Sequence, residues 1–168
     1  MDFRTRSKLL EQWRVFLLQF QWQYFATLTF RPDVRTGPVF AEGERARKVH
    51  RVYLRLLYQK LYGRAARGKI EDGRVAWCLA TEYHKSGKIH FHALYAGDDL
   101  HLLGAGYMAE LWAGLAGWAK IEAIYNGQGA VAAYTSKYVA KGGQIDLSAG
   151  LRSAAPAAAL LKPVHLPD

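Results

Sequence analysis

Apolar positions recur at three- and four-residue spacing through Leu9, Trp13, Phe16, Leu17 and Phe20, which predicts a helix over residues 7–22 with Ser7 as its cap. The aromatic and β-branched run from Tyr24 to Phe30 stops at Arg31-Pro32-Asp33 and predicts a strand followed by a turn. Pro38 and Gly43 frame a loop into a second helix, about 44–62, whose apolar stripe is Val49, Val52/Tyr53, Leu56/Leu57 and Leu61. Two strands, 74–84 and 88–96, are joined around Ser86-Gly87. A glycine-interrupted helix over 104–117 follows, then an alternating strand over 118–125. Asn126-Gly127 turns the chain into a last helix, 128–141, closed by Gly142-Gly143.

Helix, strand, helix, two strands with a tight turn, helix, strand, helix: this order predicts an α+β fold. The expected form is a central antiparallel sheet with helices packed mainly on one face, as in ferredoxin-like and RNA-recognition folds. Residues 1–143 are expected to form the folded domain. Residues 144–168, rich in alanine and holding Pro156, Pro163 and Pro167, read as a C-terminal tail or linker stub without chemistry.

At 168 residues the chain is long enough to bury a core without staples, and 51% hydrophobic against 22% charged residues excludes wholesale disorder. The one cysteine, Cys78, excludes a disulfide framework and a CxxC zinc module. No stretch has the apolar length of a membrane span, and Met1-Asp2-Phe3-Arg4 does not open a signal peptide, so the expected compartment is the cytoplasm, with no membrane partner.

Charge narrows the partner. Lys plus Arg number 23 against 14 Asp plus Glu, a formal +9, which favours a polyanion: nucleic acid first, acidic lipid second. Between Arg45 and Lys69 lie nine Lys or Arg residues and no acid. Such a run is commonly a solvated helix face, but the lack of interspersed acids suits a surface that tracks phosphates, with Arg47, Arg51 and Arg55 as the expected DNA contacts.

Candidate chemistry begins with His90-Phe91-His92. In a strand the two imidazoles share one face, while Ile89, Phe91, Ala93 and Tyr95 take the apolar other. A two-residue Ser86-Gly87 loop would set Glu82 opposite Phe91. A three-residue Lys85-Ser86-Gly87 loop, with Gly87 at the left-handed position such loops want, sets it opposite His90. The turn chemistry therefore predicts Glu82, His90 and His92 on one face as a metal triad. These ligands suit Mn²⁺ or Mg²⁺ with positions left for phosphate oxygens, and zinc fits by ligand type. His84 shares the face by parity but sits at the turn.

The segment Tyr134-Thr135-Ser136-Lys137-Tyr138-Val139-Ala140-Lys141 holds YxxK twice in tandem. On a helix, Tyr134 and Tyr138 fall on one face with Lys137 and Lys141 close by. Tyrosines at this spacing commonly pack a core. A phenol, with a pKa near ~10, becomes a nucleophile when an ammonium or metal favours its phenolate. Metal ligands and Tyr-Lys pairs on a basic domain are what phosphodiester transesterification through a phosphotyrosine requires.

The chain resembles the HUH endonucleases, specifically the rolling-circle replication initiators with two tyrosines. Phe25 to Phe30 resembles that family's first motif, His90-Phe91-His92 its second with Glu82 upstream as acidic third ligand, and Tyr134 to Lys141 its third, YxxKYxxK. Together these span residues 24–142, most of the expected endonuclease domain 1–143. The resemblance implies site-specific nicking and rejoining of single-stranded DNA, or of a DNA hairpin, at a replication origin, with a divalent metal and a host helicase as partner. By comparison with relatives whose first tyrosine is replaced by Glu, it implies Tyr138 with Lys141 as the primary nucleophile and Tyr134 in a second transfer. A transposase of the same type and a non-enzymatic single-strand binder are the competing readings.

Overall fold

The computed structural model describes residues 3–32, 43–85, 88–141 and 143–152. The loop around Pro38, the turn residues Ser86 and Gly87, Gly142 and the tail beyond Arg152 lie outside them. Strands β1 (Tyr24–Thr29), β2 (Ala76–Tyr83), β3 (Ile89–Ala96), β4 (Ala119–Ala123) and β5 (Gln144–Leu147) form one sheet in the order β4-β1-β3-β2-β5, and each neighbouring pair is antiparallel. The fold is α+β, as the element order predicts.

Helices α2 (Gly43–Tyr62) and α3 (Gly104–Leu115) pack on the sheet face that carries Ala26, Leu28, Phe91, Ala93 and Tyr95. Tyr53, Leu54 and Leu57 from the α2 stripe are sealed there, each contributing about 1.5–3 kcal/mol by leaving water. Gly63 follows α2 at φ 86 and its N–H returns to Gln59 O, the left-handed ending that a glycine makes without a Cβ penalty. The opposite face is not open. Helix α1 (Phe3–Leu17) and α4 (Gly127–Tyr134) cover part of it, with Trp13, Phe16, Leu17 and Val131 packed on Cys78, Ala80 and Leu94.

Three elements differ from the sequence reading. The first helix runs 3–17 rather than 7–22, so Ser7 lies inside it and caps nothing. The apolar rhythm continues past its end because Phe20 and Trp22 fold back on it: Phe20 meets Phe16 edge-on at 5.5 Å, and the Trp22 indole donates to Leu17 O. The last predicted helix is α-helical only to Tyr134. Residues Thr135–Val139 widen into a π turn, with Ala140 N–H bonding Thr135 O and the Thr135 hydroxyl bonding Val131 O and Ala132 O. The boundary expected at 143 also falls too early. Residues 144–147 are the fifth strand, paired along β2 from Thr81 to Cys78, and a short helix α5 (Ala149–Arg152) buries Leu151.

Candidate active site

The hairpin has the register that a three-residue loop requires. Glu82 pairs with His90, Tyr83 with Ile89, and His84 N–H closes the turn on Lys88 O. Glu82, His90 and His92 therefore share one sheet face, together with Thr27 and Thr29 of β1, which lie across from His92 and His90. His84 is near this group, its ring 6.2 Å from that of His90.

His92 is the most enclosed of the set, at 7% exposure, and four groups fix it. Its Nε2 lies 2.8 Å from Glu82 Oε2, and its Nδ1 lies 3.3 Å from the Thr27 hydroxyl. The ring of Tyr138 lies flat against it, centroids 4.0 Å apart and planes at 16°, and Phe25 stacks in parallel farther off. Burial lowers the His92 pKa, opposed by the Glu82 carboxylate. A neutral ring then donates Nε2–H to Glu82 and accepts the Thr27 hydroxyl at Nδ1.

Glu82 is held on both oxygens. Lys141 Nζ lies 2.8 Å from Oε1 while His92 takes Oε2. The Lys141 contact, followed by that of His92, brings the Glu82 carboxyl down to about 2 against the upward push of burial. The same contact raises Lys141. Residues of the second and third predicted motifs thus meet through one carboxylate.

The metal triad is not assembled as expected. Among the described residues no three His, Cys, Asp or Glu side chains are gathered closely enough to hold a metal ion. The donors nevertheless fit one by type and by face, and the carboxylate already holds a cation, the Lys141 ammonium. For His92 to offer Nε2 to a metal, its proton must move to Nδ1, where Thr27 can accept it.

The two tyrosines are not equivalent. Tyr134 is 1% exposed and its hydroxyl donates to His92 O at 2.9 Å, so burial, reinforced by Cys78, raises its phenol well above the ordinary value. It pins the strand that carries the histidines and, in this arrangement, offers no oxygen to a substrate. Tyr138, one turn on, packs edge-to-face on Tyr134 and presents its ring to His92 instead. Lys137 Nζ sits 5.5 Å from the Tyr138 ring centroid. Arg6 of α1 donates to Ala140 O and ties the segment down.

The basic helix lies elsewhere. Helix α2 packs on the sheet face opposite to His92 and Tyr138. Arg51 and Arg55 are exposed, but Arg47 is engaged: it donates to Gln144 Oε1 at 2.8 Å, pairs with Glu44 at 3.2 Å and approaches Asp146 at 3.9 Å. It fastens α2 to β5 and is not a free phosphate contact. Thr27 and Phe25 were not singled out by sequence. Their signal was strand parity in the first motif, readable only once β1 is known to pair with β3.

The family model of the replication-associated protein ORF2 matches residues 23–143, which span β1, the hairpin and the tyrosine segment. The chain belongs to this replication-associated protein family, consistent with a rolling-circle replication initiator. No curated protein and no solved structure gives a significant match. No described helix is long and apolar enough to cross a membrane.

Proposed function

We propose that this protein nicks and rejoins single-stranded DNA at a replication origin by transesterification through a phosphotyrosine at Tyr138. One observation carries the reading: Tyr138, His92, Glu82 and Lys141, drawn from two distant motifs, form a single contact cluster on one sheet face. The Tyr138 oxygen attacks the scissile phosphorus, the phosphorus–O3′ bond breaks, and the 3′-oxygen leaves with a proton. The 5′-phosphate stays on the protein as a tyrosyl ester. Because the ester keeps the energy of the broken bond, a later 3′-hydroxyl can reverse the step and rejoin the strand.

Glu82, His90 and His92 are the residues that would hold a divalent ion, Mn²⁺ or Mg²⁺, and such an ion supplies charge stabilisation at the phosphate oxygens. Thr27 orients His92. Once Glu82 is otherwise engaged, Lys141 is released within reach of the phenol and of the phosphate, where its charge favours phenolate. Tyr134 holds the strand in register beneath.

The test is incubation of the protein with end-labelled single-stranded DNA and Mn²⁺, followed by a denaturing gel. A protein-linked product that disappears in Tyr138→Phe and in His90→Ala is expected, with DNA binding retained in both. Absence of any covalent product across a library of origin-like hairpins would overturn the reading.

A further inference from the structure

The indole of Trp118 stands apart from the other four. Trp13, Trp22, Trp77 and Trp112 are buried, at 6% exposure or less, whereas Trp118 is 60% exposed, and among the described residues its indole has no hydrogen-bond or ring partner. Its backbone, by contrast, is fixed. Both the N–H and the hydroxyl of Thr29 donate to Trp118 O at 2.9 Å. The preceding Gly117 lets the chain come this close, since a Cβ there would lie 2.4 Å from Thr29 O and 2.6 Å from Arg31 N.

That anchoring aligns Trp118 with the candidate site. The β1–β4 register extends to Thr29 beside Trp118, Thr29 pairs with His90, and His90 pairs with Glu82. Four side chains thus form one row across one sheet face, from the β4 edge to the carboxylate. In the next row Lys120 pairs with Thr27, and Thr27 with His92. Trp118 is two strand spacings from His90, about 10 Å. The helical cover of this face packs on Cys78, Ala80 and Leu94 and leaves Trp118 bare.

An exposed, rigidly seated indole next to an exposed lysine, on a chain of net charge +9, suits a ligand with flat apolar rings and regularly spaced anions. We infer that Trp118 stacks one nucleobase of the single-stranded DNA and Lys120 holds a neighbouring phosphate, so that the strand enters the site across the β4 edge. This inference rests on the proposed function and adds where its substrate lies. Lys120 is paired with the exposed Glu122 at 3.0 Å, a surface contact that a phosphate can displace.

Tryptophan fluorescence reads the inference directly, because the other four indoles are shielded. An oligothymidylate of about 16 nucleotides titrated into the full chain should quench the emission. Trp118→Phe, which keeps an aromatic ring, should bind with little loss yet show no quenching. Trp118→Ala should bind roughly 5- to 100-fold more weakly by polarisation of a labelled oligonucleotide, with an unchanged circular dichroism spectrum and melting temperature. If the wild-type chain binds and Trp118→Ala binds equally well, or if quenching persists in Trp118→Phe, the stacking position is wrong while the proposed function stands. If the wild-type chain binds no single-stranded DNA, both fall.

Discussion

Tyr138 lies face to face with His92, ring centroids 4.0 Å apart, while Tyr134, four residues earlier, reaches past it to the carbonyl of the same histidine. One tyrosine covers the imidazole and the other holds its backbone. The tandem motif therefore divides into a reactive and a supporting position.

From this division, Tyr138→Phe should form no covalent DNA adduct, and mass spectrometry of the wild-type adduct should map the nucleotide to Tyr138. Tyr134→Phe should still form the adduct while losing about 1 kcal/mol of stability in a denaturant titration, the ordinary worth of a buried hydrogen bond. A nucleotide found on Tyr134 in the first turnover would reverse the assignment.

Lys141 competes for the carboxylate that a divalent ion would take. Lys141→Met should bind Mn²⁺ about fivefold more tightly in calorimetry, following the ~1 kcal/mol that a unit charge contributes at 4 Å in water. Nicking by this variant should nevertheless slow. Unchanged or weaker Mn²⁺ binding would show that the ammonium and the ion do not share Glu82.

The buried His50, hydrogen-bonded to the Tyr95 hydroxyl at 2.8 Å, sets an acid limit on stability. Burial, aided by Arg51, lowers its pKa from 6.5 to about 3. The unfolded chain then binds a proton that the folded chain refuses, so this contribution is intact above pH 6.5 and declines as pH falls toward 3. By pH 5 the loss is about 2 kcal/mol. The wild type should lose that much more than His50→Gln between pH 7 and pH 5 in urea unfolding. If the variant does not fold, the His50 ring signal in the wild type should remain in its neutral position at pH 5. A ring titrating near pH 6 would refute the assignment.

For α2, the double change Arg51→Gln with Arg55→Gln should lower affinity for all DNA sequences alike and reduce the slope of log K against log salt by about 1 to 2. An unchanged slope would leave the phosphate contacts to the opposite face, where Lys120, Lys137 and Lys141 lie exposed.

The hairpin shows what sequence could yield. Strand parity and the Lys85-Ser86-Gly87 spacing gave the pairing of Glu82 with His90 because a turn of fixed length determines register locally. The contacts of His92 with Thr27, 65 residues away, and with Tyr138 depend on which strands become neighbours, and no local pattern encodes that. Spacing put both tyrosines on one helix face but not their depth, which comes from the strand beneath. Likewise the charge of α2 was plain in the sequence, and the side of the sheet it would take was not. Gln144 to Leu147 looked like tail because four residues carry too little period, and pairing with β2 and the hold of Arg47 make them a strand.

The π turn at Thr135–Val139 makes residue count a catalytic parameter. Each bond there spans one residue more than an α-helical bond, as if the helix had accepted an insertion between its two tyrosines. Deleting any one residue from Thr135 to Lys137 would let the segment relax to an ordinary helix and rotate everything downstream by about 100°. Tyr138 would swing off the imidazole and Lys141 off its carboxylate, with no chemical group lost. The segment should therefore tolerate substitution at its exposed positions, such as Ser136, far better than any change of length.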